Sequence, residues 1–499
     1  VTVPFKQISQ AIRVPLFYAE VDNSQANTAT AVQRSLIIGQ ITGTGTGTPN
    51  VPQISQGVGD AAAVGGVGSM IHLMTQAYRA ADTLGELWYL PLTDDGAAVA
   101  AAGSVNFTHV ATANGVLSFY IGGVRVQMAV VTTQTANQLA TAFAAAINAT
   151  ANLPVTAAVD GVTLSKVNIT ARNAGAAGND IDLRFNYGGA PAGEATPAGL
   201  TYALVAMAAG ATNPTLTTGL ANLANKSFDF IVCPYTDSTS LGALKSFLDD
   251  VTGRWSWQQQ LYGHVFIAYR GTFGALTTFG QTQNNQHQSV LGFYDSPTPN
   301  WIAAADFAAS SAVSLRNDPA LPLQTVALST MLPPPLASQF SMPQQNQLLY
   351  NGISTFNVLN DGTVTMQNII TSYLTNAYSQ PDNSYLEIET MFTLAFVIRF
   401  LAGRVTSKFG RKKLAANGTR TANPNVVTPN IIRADQIAAF LELEELGLVQ
   451  DSAGFAANLI VEQNKLNPNR VDVLWPGALV DQLRIFALLA QFRLQAQAA

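Results

Sequence analysis

At 499 residues the chain exceeds what one ordinary hydrophobic core holds, and the size prior divides it into about two to four units, some discontinuous in sequence. Hydrophobic residues make up 48% of it and Asp, Glu, Lys and Arg together only 11%, against roughly 25% in an average soluble protein. Either Asn, Gln, Ser and Thr supply the solvation or surface is hidden against neighbours, and the formal charge of −5 excludes the broad basic footprint that wraps nucleic acid or lies on an anionic membrane.

Residues 12–21 alternate around Pro15 as an isolated strand, and 22–30 form a polar linker. A short apolar run bounded by Gly predicts a buried strand over 34–41, and the Gly/Thr/Pro tract 42–50 predicts a flexible loop. Asp60 is placed to cap the segment after it. Met70, Met74, Ala77, Tyr78 and Ala81 recur at helical spacing over 67–82, and 86–92 returns to strand composition, so this part reads as an α/β unit.

Beyond an Ala/Gly linker at 94–103 the chain becomes β-rich. Strands over 116–120 and 124–131 meet at Gly122-Gly123, a pair that adopts the positive φ of a tight hairpin turn, and a helix is predicted over 136–148. A second hairpin is predicted over 155–159 and 162–167 with Asp160-Gly161 at its turn, then strands over 168–172 and 180–187. From 217 the α/β rhythm resumes, with helices over 217–225, 240–254 and 272–278 and strands over 228–233, 264–269 and 289–294. The last part holds a hairpin turning at Asn360-Asp361-Gly362 and helices over 385–413 and 433–446.

Motifs that carry chemistry fail on inspection. The tract Gly43-Thr44-Gly45-Thr46-Gly47-Thr48 lacks both the third glycine of a dinucleotide fingerprint and the Lys-Ser/Thr end of a phosphate loop. Ser69 in Gly68-Ser69-Met70 lacks the following glycine of a nucleophile elbow and reads as a residue opening a helix. His72, His109, His264 and His287 do not share metal-ligand spacing, and Cys233, the sole cysteine, lies in an apolar run that predicts burial. No catalytic residue, metal or cofactor is expected. No segment reads as a signal peptide or membrane span, which points to folding in a reducing cytoplasm.

Two charge clusters stand out in so neutral a chain. Arg404, Lys408, Arg411, Lys412 and Lys413 complement the C-terminal end of a helix dipole or offer an electrostatic contact to a partner. Glu442, Glu444 and Glu445 read as a solvated helix face. The apolar end, 483–494, fits a strand or a helix. By the residues alone, packing on its own domain is favoured over adding a strand to another copy's sheet.

Ile12-Arg13-Val14-Pro15-Leu16-Phe17-Tyr18-Ala19-Glu20-Val21-Asp22-Asn23-Ser24, Gly68-Ser69-Met70 with Glu86-Leu87-Trp88, Thr170-Ala171-Arg172-Asn173-Ala174-Gly175, Tyr350-Asn351-Gly352-Ile353-Ser354 with Asp361-Gly362, and Asn469-Arg470-Val471-Asp472-Val473 through Phe492 run from end to end of the chain. Together these stretches resemble the contractile bacteriophage tail sheath family, in its Mu-like branch. The resemblance implies a structural virion subunit that polymerises around an inner tail tube and contracts to drive it through the bacterial envelope. It would be assembled in the host cytoplasm, with tube, baseplate and tail terminator proteins as partners, without direct nucleic-acid contact or membrane insertion.

It also implies that an N-terminal arm (Arg13, Val14, Leu16, Phe17, Tyr18, Val21) and a C-terminal strand (Arg484, Ile485, Phe486, Ala487, Leu488, Leu489, Phe492) are exchanged between subunits. Hinges are expected after Val21 and before Val471, and the basic cluster 404–413 is the candidate tube contact.

The expected fold is α/β and α+β multidomain, a mixed-sheet core with flanking helices plus an inserted β-rich domain. Its divisions are an arm and linker at 1–30, a discontinuous middle domain at 31–95 with 201–340, an inserted outer domain at 96–200, and a C-terminal inner domain at 341–499. Two other classes fit the same composition: a non-contractile shell or surface-layer protein, and an α/β hydrolase with the β-rich block as a binding module.

Overall fold

In the computed structural model, residues 33–420 and 423–492 are described; the candidate N-terminal arm, Arg13 to Val21, lies outside them. A six-stranded sheet runs in the order Gln288–Phe293, His264–Arg270, Phe230–Val232, Ser35–Gln40, Leu87–Leu92 and Gln53–Ile54. Its first five strands are parallel and the last is antiparallel. Every residue of Ser35–Gln40 and Gln288–Phe293 is buried, as a parallel sheet covered on both faces requires.

The helices Met70–Ala81 and Asn300–Asn317 pack together against this sheet. Ser69 opens the first, its hydroxyl accepting from the His72 backbone N–H, as expected of it. Periodicity gives no sign of the second, because Ala303, Ala304, Ala305, Phe307, Ala308, Ala309 and Ala312 bury it on nearly all sides and leave no polar stripe to alternate with. The tract 42–50 is not the loose loop expected. Thr42, Thr46 and Gly47 N–H groups donate to the carbonyls of Gly65, Ala63 and Val64, and a Cβ on Gly45 would stand 2.5 Å from the Val64 carbonyl.

Between Leu92 and the strand Phe230–Val232 the chain builds two antiparallel sheets around the helix Ala136–Ala149. One orders Thr201–Ala208, Ala102–His109, Lys166–Ala171 and Val155–Val159, and the other Val124–Val130, Gly115–Ile121 and Leu183–Phe185. Phe143 of the helix meets Phe107 and Phe119 edge-on at 5.5 and 5.0 Å, joining the two sheets. The Gly122-Gly123 turn forms as expected, with φ of 54° and 84°.

The second hairpin is longer in the turn than expected. The Asp160 carboxylate takes the N–H groups of Val162 and Thr163, so the return strand starts at Lys166, and 162–165 are turn. Strand Thr201–Ala208 pairs with Ala102–His109, so the return to the central sheet comes after Ala208 and not at 200.

Residues 341–372 attach to the central sheet. Gly292 N–H donates to the Ser354 carbonyl, and the hairpin Thr355–Val358 and Val364–Asn368 turns at Gly362 with φ of 88°. Leu348, Ile353, Phe356 and Met366 join the large core. The long helix Ile388–Phe409 leaves it: Ile388 and Phe392 belong to the large core, and Val397 to a second, smaller one.

Candidate assembly surface at the C-terminal end

The small core forms where the helices Pro429–Glu445 and Ser452–Asn458 meet the helix Ile388–Phe409. Phe440 stacks on Phe455 at 4.0 Å, and Trp475 closes against both. Against it lies a two-stranded hairpin, Ile460–Gln463 with Val471–Leu474. Its turn is closed by the Asn464 side chain, whose Oδ1 accepts from the N–H groups of Leu466 and Asn467. The polar stretch expected as a hinge before Val471 is therefore a bonded turn.

Val461 packs on the small core, whereas Ile460 and Leu474 stand exposed, and neither strand has a second partner among the described residues. A two-stranded ribbon with both edges open is marginal alone and is a template for further strands.

The chain then pairs Ala478–Leu479 with Val449–Gln450 and reaches Arg484. One Arg484 nitrogen, Nη2, donates to Glu387 Oε2 and Glu389 Oε2 at 2.6 Å each, and Gln324 Nε2 donates to the Leu483 carbonyl at 3.1 Å. Glu389 is fully buried and also accepts the Leu323 N–H at 2.8 Å. Burial pushes its carboxyl up, and Arg484 and that N–H oppose the push.

One residue later the environment inverts. The Arg484 side chain is 14% exposed, whereas Ile485 is 82% exposed, and Phe486, Leu488, Leu489 and Phe492 are comparably bare. Residues 485–492 have no regular structure and no hydrogen bond among the described residues, so packing on the chain's own domain, favoured by the residues alone, does not occur. Glu387, Glu389 and Gln324 escape sequence reasoning because no local spacing links them to residues 95 to 159 positions on.

The basic cluster divides. Arg404 is held between Asp435 and Glu442, and Lys408 Nζ donates to Asp435 at 2.7 Å, so both tie the two long helices together within the subunit. Arg411, Lys412 and Lys413 are exposed beyond the helix end, Lys412 reaching the Pro424 carbonyl. Of the acidic stretch, Glu442 pairs with Arg404, Glu444 accepts the Ser452 N–H, and Glu445 faces solvent.

The histidines are bound up in structural contacts. His72 Nδ1 accepts the Gly68 N–H, His264 bonds Ser289, His287 bonds Asp250, and His109 bonds Thr201. Burial pushes the Cys233 thiol up to about 12, which keeps it protonated and unreactive near neutral pH. A groove of about 350 Å³ beside Gly292, Gln345 and Phe356 has no ionisable side chain in its lining.

Comparison with known proteins shows the family. A family model for the phage tail sheath protein central domain matches residues 209–372, and one for the phage tail sheath C-terminal domain matches 380–493. The Mu-like prophage FluMu tail sheath protein of Haemophilus influenzae is 37% identical over 494 residues, 98% of this chain and 99% of that protein. Among solved structures, the sheath tail protein of Desulfitobacterium hafniense matches with a TM-score of 0.49 and 13% identity, over 94% of this chain and 97% of that one. That of Listeria innocua matches at 0.46 and 13%, over 92% and 94%. A chain of the anti-feeding prophage baseplate in its contracted state matches at 0.43 and 12%, over 98% and 100%. With near full-length identity to a tail sheath protein and both sheath domain models in sequence order, the chain belongs to the phage tail sheath family, a structural component of phage tails and not an enzyme.

Proposed function

We propose that the protein is the repeating subunit of a contractile tail sheath, polymerising around an inner tail tube and contracting to drive that tube through a bacterial envelope. The observation that carries this reading is the exposed apolar segment 485–492, on a subunit that also presents a hairpin with open edges. In the assembled sheath the segment pairs with the hairpin Ile460–Gln463 and Val471–Leu474 of a second copy, and the N-terminal arm around Arg13, Val14, Leu16, Phe17, Tyr18 and Val21 adds beside it. Each backbone hydrogen bond in such a joint contributes about 0.5–1.5 kcal/mol net, so a strand of several supplies a few kcal/mol before apolar burial is added.

The body then acts as nearly rigid parts joined through these strands: a central unit, a β-rich insertion on the outside, and a C-terminal unit toward the tube. Contraction is a downhill change of packing between copies, with no nucleotide to power it. Arg411, Lys412 and Lys413 are the tube contact, while Arg404 and Lys408 orient the helices behind them. Baseplate and tail terminator proteins close the two ends, and assembly takes place in the host cytoplasm.

Negative-stain microscopy of purified protein tests the reading. Full-length protein gives hollow tubular polymers, and a chain lacking 1–30 and everything after Arg484 stays monomeric and folded. Sleeves formed as readily by the shortened chain would end it.

A further inference from the structure

We propose that Arg484 is the anchor of the C-terminal arm: docked between Glu387 and Glu389, it fixes where and in which direction residues 485–492 leave the body, and it does not enter the donated strand itself. This rests on the strand-exchange reading above and changes its boundary, since Arg484 moves from the strand to its foundation.

Three contacts converge on two adjacent arm residues. Gln324 holds the Leu483 carbonyl, and Glu387 and Glu389 share one guanidinium nitrogen of Arg484. Glu387 and Glu389 flank the start of the helix Ile388–Phe409, at the end that belongs to the large core. The Glu389 carboxyl has no exposure of its own and a second bond to the Leu323 N–H, so withdrawing Arg484 would leave a buried acid without its cation. The step from a mostly buried Arg484 to a bare Ile485 marks the place where docking ends.

The hairpin that would accept a strand sits on the small core, whereas the strand each subunit gives is rooted in the large one. Every joint would therefore connect the central body of one copy to the C-terminal unit of the next, and tension on the strand would reach the helix that spans both cores. The eight described residues past Arg484 reach at most about 26–29 Å when extended, which bounds how far off the accepting hairpin can lie.

Trypsin reads the state of Arg484 directly, because cleavage of the 484–485 bond needs that side chain free to enter the protease. In the full-length monomer this bond is cut slowly relative to the exposed bonds after Arg411, Lys412 and Lys413, as followed by mass spectrometry. The double variant Glu387→Gln/Glu389→Gln, which keeps side-chain shape and leaves the arm sequence intact, speeds cleavage at 484–485 at least tenfold and lowers the yield of tubular polymers. If the double variant does not fold, Glu387→Gln alone, at a partly exposed site, gives the same reading in weaker form.

A third chain, ending at Arg484, separates the two ideas. Loss of polymers in that chain, with cleavage and assembly unchanged in the Gln variants, overturns the anchor and leaves strand exchange standing. Normal polymers from the chain ending at Arg484 remove strand exchange itself.

Discussion

Asp82 stands where three elements meet, and its surroundings show what a charge does in a chain that uses few. Its carboxylate accepts from the Tyr78 hydroxyl at 3.0 Å, from the Gly85 N–H at 2.8 Å and from Arg316, whose other terminal nitrogen reaches Ser35 at 2.6 Å. Strand Ser35–Gln40 and the helices Met70–Ala81 and Asn300–Asn317 are thereby tied at one end. Burial pushes the carboxyl up, but Arg316 and the Gly85 N–H outweigh it and hold Asp82 below its ordinary 3.8. A depressed carboxylate adds stability above its unfolded value and loses it as pH falls through the folded one.

Asp82→Asn therefore lowers the stability of the central body at pH 7 by about 3–5 kcal/mol, the usual result of breaking a buried pair from one side. The gap between variant and parent, measured by denaturant unfolding, closes as the pH is taken below the carboxylate range. A gap that persists unchanged in acid would show that charge is not what Asp82 contributes.

At the scale of elements, the proposed strand exchange predicts that the arm separates folding from assembly. Leu489 is 83% exposed, so Leu489→Asp removes nothing that holds the monomer. Its unfolding free energy should stay within about 0.5 kcal/mol of the parent, while tubular polymers fall by an order of magnitude because a charge would be buried in the joint. A shifted midpoint with normal polymers would place the segment on its own body after all.

Elements with a local signature are the ones the sequence reveals. The strands around the central sheet, the double-glycine turn and the Ser69 cap each follow from residues within a few positions of one another. The helix Asn300–Asn317 has no such signature because tertiary packing covers it all round, and the late start of the return strand at Lys166 depends on where one Asp160 side chain sends its bonds. Of the candidate surface, the apolar character of 485–492 is legible by composition, but its exposure is not, since the residues alone favour packing on its own domain. The contact of Arg484 with Glu389 is not legible either, because the two meet only through the fold.

For the molecule as a whole, the shortage of charge sets how its contacts respond to salt. Charged residues make up 11% of the chain, and many of those described are spent within the subunit, as Arg34 is on Glu86, Arg184 on Asp182 and Asp295, and Arg399 on Asp229. If the proposed joints are made by backbone pairing and by Ile485, Phe486, Leu488 and Leu489, they would carry little electrostatic energy, whereas the proposed tube contact through Arg411, Lys412 and Lys413 would carry much. Raising NaCl from about 0.1 M to about 1 M shortens the screening length from about 10 Å to about 3 Å. Self-assembled sleeves should keep their yield within about twofold over that range, while co-sedimentation with the tube falls steeply. Reversing the charges at 411, 412 and 413 should reproduce the second effect at low salt without the first. Sleeves that dissolve in salt would mean that ion pairs between copies, and not the apolar arm, hold the polymer together.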